Sequence, residues 1–346
     1  MSKNILITGG AGFIGVNAVK RFVAEGYSVT VFDNLSRRGT DLNVKYLDDH
    51  YAGKYRLVKG DIRNDISSLK ELAASHDVIL HLAAQVAVTT SVTDPRTDFD
   101  INALGTFNVL EAARASARKP MILYASTNKV YGGLEHMPVV EDGDRVKFKD
   151  GMSGVTEICP LDFHSPYGCS KGAADQYVRD YSRIYDMKTV VLRQSCIYGP
   201  HQLGVEDQGW VAWFLIAAMF GRPVTVYGTG KQVRDLLYVD DLVDLYVRAI
   251  DKIDMVSGQA FNIGGGLKNS LSLLEFLRII DQDLKMPMKF GFSDWRPGDQ
   301  PIFVSDNSKA KALLRWEPKT DVQRGIINLV EWLKDNREML EKFYKS

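Results

Sequence analysis

Tyr167 and Lys171 stand four residues apart in a stretch, from about Pro166 to Tyr185, whose pattern predicts a helix. That spacing puts both side chains on one helix face. A free phenol titrates near pH ~10, too high for a base at neutral pH. An ammonium beside it favours the phenolate and lowers that value, so the pair is a candidate general base for the proton of a hydroxyl. Thr127 ends the apolar run Met121–Ala125. A hydroxyl at the carboxyl end of a strand, where open α/β sheets bind ligands, can hydrogen-bond the reacting oxygen. A Tyr–Lys pair at this spacing is common by chance; it gains weight from what lies upstream.

There, Gly9, Gly12 and Gly15 follow a predicted strand, Asn4–Thr8, and open a predicted helix from about Phe13 to Ala24 that stops at Gly26. Missing side chains let the backbone turn tightly and approach a pyrophosphate, while the N–H groups around Phe13 and Ile14 point at the anion. Asp33, with Asn34 beside it, lies 18 residues beyond Gly15, at the end of the predicted strand Val29–Phe32. A carboxylate there suits the adenosine ribose hydroxyls and repels a 2′-phosphate, which favours NAD over NADP. Arg37 and Arg38 are near enough to keep NADP open, and Asp33-Asn34 could be only a turn. Asp61 and Ile62, after the predicted strand Arg56–Val58, are placed to hold the adenine edge, although Gly60-Asp61 also reads as a simple turn.

These groups need a scaffold that brings strand ends together. Further strands are predicted at Val78–Leu82 and Thr189–Leu192, with a helix across Asp98–Arg118. Strand–helix alternation at this spacing predicts an α/β fold with a Rossmann-type, doubly wound parallel sheet. After Gly199 the pattern weakens to strands at Val224–Tyr227, Ala260–Ile263 and Lys289–Phe292 and helices at Leu242–Ala249, Leu271–Leu284 and Val322–Lys334. The expected division is a nucleotide-binding domain over 1–199 and a smaller, mixed α/β substrate-binding part over 200–346, with the chain free to cross between them. Residues 133–165, rich in Gly, Asp and Pro, read as an active-site insertion that could cover the site.

Composition narrows the class. The chain has 346 residues, 45% hydrophobic and 25% charged, with zero formal net charge. That is globular usage without the basic excess of a nucleic-acid binder. Cys159, Cys169 and Cys196 have neither CxxC spacing nor a His cluster, so neither a disulfide framework nor a metal site is expected. The apolar stretch Trp210–Phe220 is too short to span a bilayer and reads as a buried helix. No signal-peptide layout is visible, and a cytoplasmic location without membrane attachment is the default expectation.

Taken with the glycine loop, Asp33, Thr127 and the Tyr167–Lys171 pair, further strings resemble the extended short-chain dehydrogenase/reductase family of NAD-dependent epimerases and dehydratases. They are His81-Leu82-Ala83-Ala84-Gln85, Arg193 through Tyr198-Gly199-Pro200, Arg234 through Asp241, and Arg296-Pro297-Gly298-Asp299. The resemblance covers nearly the whole chain. It implies a tightly held NAD, with Leu82, Ala83 and Ala84 on the cofactor. It also implies a nucleotide-diphosphate sugar substrate gripped by Arg234 and Arg296, with Gln85 near it. Guanidinium forks suit phosphate oxygens, though either arginine could be a surface salt bridge. A homodimer or homotetramer through the 98–118 and 166–185 helices is implied too.

Within that family the 4,6-dehydratases carry an acid–base pair, typically Asp-Glu, after the threonine. Asn128 and Lys129 stand there instead, and an amide and an ammonium cannot replace two carboxylates. The string Ser126 through Gly132, the string His164 through Tyr177, and Asp207-Gln208-Gly209-Trp210 resemble the CDP-paratose (CDP-tyvelose) 2-epimerase branch. Arg193-Gln194-Ser195-Cys196, where many members have a diphosphate-binding Asn, resembles it as well. The implied reaction is epimerisation at C2 through a transient 2-keto sugar. Tyr167 takes the hydroxyl proton, Thr127 orients the oxygen, Lys171 tunes Tyr167, and Lys129, His164, Cys196 and Gln208 line the sugar-nucleotide site. A UDP-sugar 4-epimerase, a nucleotide-sugar reductase and a non-catalytic NAD-binding protein remain alternatives.

Overall fold

Runs of β-branched and apolar residues separated by amphipathic segments build the first half of the molecule. The computed structural model describes residues 3–149, 151–296 and 298–345, so Pro297 lies outside the described residues. In chain order the first half runs β1 (Asn4–Thr8), α1 (Phe13–Ala24), β2 (Ser28–Asp33), α2 (Thr40–Tyr51), β3 (Tyr55–Lys59), α3 (Ile66–Ser75) and β4 (Val78–His81). It continues with α4 (Val88–Thr93), α5 (Pro95–Phe99), α6 (Gly105–Ala115), β5 (Met121–Thr127), β6 (Val139–Asp142), β7 (Arg145–Phe148), α7 (Ser165–Tyr185) and β8 (Thr189–Gln194). The second half begins β9 (Cys196–Tyr198), α8 (Trp210–Met219), β10 (Val224–Tyr227), β11 (Val233–Tyr238), α9 (Val239–Asp251), α10 (Ile253–Val256) and β12 (Gln259–Ile263). It ends β13 (Ser270–Ser272), α11 (Leu273–Arg278), β14 (Phe290–Ser293), β15 (Ile302–Phe303), α12 (Ser308–Leu314), α13 (Val322–Asp335) and α14 (Arg337–Lys345).

Seven strands form one sheet in the order β12-β8-β5-β4-β1-β2-β3, and every pairing in it is parallel. Alternate residues feed opposite faces, as the period of two requires. Ile5, Ile7, Val78, Leu80, Leu123, Val190 and Leu192 pack with α1 and α9 on one side. Leu6, Ile79, Ile122, Tyr124 and Val191 pack with α3, α6 and α7 on the other. Strand order reverses between β1 and β4, where a cleft opens at the carboxyl ends.

The segment Ala260–Ile263, expected in the 200–346 region, is within β12, the outer strand of the large sheet, and α9 covers that sheet's face. A sixth or seventh parallel strand is invisible locally because pairing partners are set by topology. The smaller part gathers β9, β10, β11, α8, α11, α13 and α14 around a second core. The apolar helix expected at Trp210–Phe220 is there, with Val211, Phe214, Leu215 and Ile216 buried. No helix of the described residues is long and apolar enough to cross a membrane.

Two expected helices are broken. The one drawn across Asp98–Arg118 starts earlier, at Pro95, and passes through a π turn at Asp100–Leu104 before α6 ends at Ala115. The one drawn across Leu271–Leu284 loses its start to β13, which pairs antiparallel with β11. Ser272 then caps α11 by accepting from the Glu275 amide, in a reciprocal capping box. Residues 133–165 contain the antiparallel β6–β7 hairpin. Leu134, Met137, Phe148 and Val155 dock on Ile302, Phe303 and Val304, so this segment packs on the flank of the smaller part rather than over the cleft.

Candidate active site

At the carboxyl ends of the strands two clefts of about 260 and 390 Å³ adjoin. Phe13, Ile14, Ser126, Tyr167, Gln194, Gln202 and Gln208 line both, so Tyr167 sits at their junction.

The first cleft begins at the glycine loop. A Cβ on Gly9 would lie 2.6 Å from the Ala83 amide nitrogen, and one on Gly15 would lie 2.5 Å from the Gly10 Cα. Those two glycines are demanded by packing within the protein. Gly12 differs: a Cβ there would meet only the Gly9 carbonyl, at 3.2 Å, and would otherwise project beside the cleft. Gly12 is also the N-cap of α1 and no side chain caps that end, so the first N–H groups stay available. A pyrophosphate fits this cradle.

Asp33 ends β2 inside the cleft. Its Oδ2 accepts from the Ala11 amide at 3.0 Å and its Oδ1 from the Leu35 amide at 2.8 Å, which fixes the carboxylate. Each oxygen keeps a lone pair for a ribose hydroxyl. Burial raises the pKa of this carboxyl, against the pull of the two amides. Asp61 is held well down, to about 2, chiefly by the Arg63 guanidinium, and accepts from the Asn34 side chain at 2.9 Å. The arginines that kept NADP open line this cleft too, and each has a partner within the protein. Arg37 donates to the Gln208 side-chain oxygen, and Arg38 donates to the Phe343 carbonyl with its guanidinium 4.4 Å from that ring. Gly9, Gly12, Phe13, Ile14, Gly15, Asp33, Asn34, Asp61, Ile62, Leu82, Ala83 and Ala84 all line this one cleft, together with Tyr167 and Lys171.

Tyr167 and Lys171 project from the first turns of α7, both buried. Burial pushes Tyr167 up to about 12, against a lowering by the nearby Thr127. Lys171 donates to the Ala125 carbonyl at 2.6 Å and lies 4.3 Å from the Tyr124 ring centre. Burial pulls it down to about 7, with Asp175 and Asp98 opposing. The rise at Tyr167 is opposite to the lowering expected from Lys171, because burial desolvates the phenol. Below them, Asp98 holds Ser170 and Asn102, and Asp175 accepts from Ser126 and makes a buried ion pair with Arg193 at 2.9 Å. This network fixes the floor of the site.

The second cleft receives Thr127, Lys129, Cys196, Gln208, Arg234 and Arg296. Lys129 donates to the Gly298 carbonyl at 3.0 Å and lies 3.6 Å from Asp299, which also binds Arg234. Burial lowers Lys129 to about 8. Asn128 lines the same cleft and donates to the Gln300 side chain at 3.2 Å. Arg296 lies 3.9 Å from the Tyr227 ring centre and pairs with Asp207 at 3.1 Å.

Gln85 and His164 line neither cleft. The Gln85 side chain folds back on Ala87, with its backbone tied to Asn102. His164 bonds Asp162 at 3.1 Å, in the segment before α7 that packs on the flank. Among the described residues, none of 133–165 lines either cleft, and Leu134, Met137, Phe148 and Val155 pack against Phe303 instead. Gln194, Gln202 and Asp299 were not singled out as site residues. Gln202 follows Tyr198-Gly199-Pro200, a signal that could have pointed to it.

A parallel sheet with a glycine cradle, a fixed acid after β2 and a Thr–Tyr–Lys set at the junction of two clefts defines a nucleotide-cofactor enzyme with a second cleft beside the first. Residues 5–264 match the NAD dependent epimerase/dehydratase family, and the chain belongs to it. It is 43% identical over 335 residues to a CDP-paratose 2-epimerase from Salmonella typhi, covering 95% of this chain and 98% of that one. It is 33% identical to a UDP-glucose 4-epimerase from Mycolicibacterium smegmatis, over 96% of this chain and 99% of that one. Among solved structures, a UDP-glucuronic acid 4-epimerase from Bacillus cereus, in complex with UDP-glucuronic acid and NAD, superposes with a TM-score of 0.82 at 27% identity. That match covers 96% of this chain and 99% of the other. The chain is thus an NAD-dependent enzyme.

Proposed function

We propose that this chain inverts C2 of a CDP-linked sugar, of the CDP-paratose to CDP-tyvelose type, as a cytoplasmic NAD-dependent epimerase. The observation that carries the reading is the junction itself. Thr127 and Tyr167 offer one hydroxyl-directed base, and the two positions after Thr127 hold an amide bound to Gln300 and an ammonium bound to Gly298. One proton can be moved there, but the carboxylate pair that would expel a hydroxyl is missing. The 43% identity to a CDP-paratose 2-epimerase supports C2 and a CDP-sugar.

Gly12 and the start of α1 would hold the pyrophosphate of NAD, Asp33 its adenosine ribose, and Lys171 the ribose near Tyr167. Bound there, NAD supplies a reversible two-electron acceptor and a positive ring that favours the Tyr167 phenolate. Tyr167 takes the C2 hydroxyl proton and returns it, while Thr127 holds the same oxygen. Arg234 and Arg296 grip the diphosphate, with Lys129, Cys196 and Gln208 around the sugar. The larger sheet would form the cofactor domain and the second core the sugar-nucleotide domain. A second copy would cover α5, α6 and α7, where Phe99, Phe107, Tyr177 and Ile184 are exposed; sedimentation at a monomer's mass would refute that pairing.

The test uses purified protein without added cofactor, incubated with CDP-paratose in D2O and followed by proton NMR. A C2-epimeric signal free of deuterium at C2 is expected. Deuterium at C2 would refute the redox route, and a C4-epimeric signal from a UDP-sugar would favour the 4-epimerase instead.

A further inference from the structure

The cofactor cleft has two walls far apart in sequence. One is the loop after β2, through Arg37, Arg38 and Gly39. The other is the segment after β9, through His201, Gln202, Leu203, Gly204 and Gln208. They touch across the cleft: Arg37 donates to the Gln208 side chain, and a Cβ on Gly39 would lie 2.4 Å from a Leu203 methyl. Neither wall belongs to the sheet, so nothing in the parallel ladder holds them together.

α14 touches both. Its Phe343 carbonyl accepts from Arg38, and its ring stacks under that guanidinium and faces Gly39, where a Cβ would lie 3.1 Å away. The next residue serves the other wall: the Tyr344 hydroxyl donates to the Gly204 carbonyl at 2.6 Å, and its ring packs toward Trp213. Arg222 anchors the helix end by donating to the Tyr344 carbonyl at 2.7 Å. Leu340 is buried in the second core, so the helix is seated on the smaller part while it reaches the cofactor loop.

We propose that Phe343 and Tyr344 are positioning residues that clasp the two walls of the NAD cleft and set how long the cofactor stays bound. The inference rests on this cleft being the NAD site. Release at the Asp33 end needs the two walls to part, and parting them breaks the Arg38–Phe343 or the Tyr344–Gly204 contact. An enzyme that must return to its sugar the electrons it has just removed gains from such retention.

The experiment measures exchange of bound NAD against excess isotopically labelled NAD in the full-length holoenzyme, for wild type, Tyr344→Phe and Phe343→Ala. Thermal melting is recorded in parallel. Losing the hydroxyl contact should speed exchange about fivefold, and losing the ring contacts more than tenfold. Activity lost on desalting these variants should return with added NAD, while the melting point without NAD stays within about 2 °C of wild type in Tyr344→Phe, which general destabilisation would lower. Exchange within twofold of wild type in Tyr344→Phe, which removes one hydroxyl and leaves the packing, would overturn the proposal even if Phe343→Ala fails to fold. If wild-type protein binds no NAD, the cofactor reading fails together with the clasp; if it binds NAD and the variants exchange alike, only the clasp fails.

Discussion

The three glycines of the loop make separable predictions, because the structure gives each a different neighbour. Gly9 has φ +71, and a Cβ there would sit 2.6 Å from a backbone nitrogen that cannot swing away. A left-handed alanine costs about 1–2 kcal/mol and the overlap about 1–3 more. Gly9→Ala should therefore melt roughly 4–10 °C lower at about 2 °C per kcal/mol for a chain of this size. Gly15→Ala should behave similarly, through the 2.5 Å approach to Gly10. Gly12 has φ −76 and faces only the Gly9 carbonyl at 3.2 Å. Gly12→Ala should leave the cofactor-free melting point within about 2 °C, because the cost is under ~1 kcal/mol. Its methyl instead occupies the approach of the pyrophosphate, costing about 1–3 kcal/mol of binding, roughly 5- to 150-fold in Kd. The assay is the melting temperature of each variant after NAD removal and again with NAD added, alongside NAD recovered from denatured protein. Ligand at 100 times its Kd stabilises by about 2.7 kcal/mol, so wild type should gain several degrees that Gly12→Ala largely loses. If Gly12→Ala retains NAD like wild type, or Gly9→Ala melts unchanged, the assignment of this cradle is wrong.

Tyr167→Phe should lower kcat by a factor of about 10²–10⁴ while the protein still carries NAD, as read by product formation and cofactor extraction. Asn128→Asp sets a carboxylate against the Gln300 oxygen that now accepts from the amide. It should cost about 1–3 kcal/mol in thermal melting, and no dehydrated sugar should form by mass spectrometry. Asp175→Asn leaves Arg193 buried without its partner and should cost about 3–5 kcal/mol in denaturant unfolding. His81 and His201 are both held down to about 3 by burial, so each stays neutral in the fold while the unfolded chain protonates near the usual value. Their contribution to stability is present above pH ~6.5 and is lost as pH falls toward 3, at about 1.4 kcal/mol per pH unit each. Denaturation curves between pH 7 and 4 with a flat midpoint would contradict this.

The neutral form of His81 also follows from its partners. Thr106 donates to the Asn102 carbonyl at 2.6 Å and so accepts from His81 Nε2, leaving Nδ1 to accept from Thr8. Nothing in the residue types around His81 reveals this chain of donors, since it runs across three elements.

What the sequence alone determined is local or carried by short spacings. Gly9, Gly12 and Gly15 between a strand and a helix, Asp33 after the next strand, and Tyr167 four residues before Lys171 each depend on one turn of backbone. The cofactor residues so chosen all line one cleft for that reason. The tertiary structure alone decided what distant segments do to one another. Docking on Phe303 draws residues 133–165 away from the clefts and His164 with them, and pairing with β8 makes β12 part of the large sheet. Burial raises the Tyr167 phenol, and α14 reaches back across the chain to the loop after β2. Desolvation and long-range packing depend on which surfaces meet, and a one-dimensional pattern does not record that.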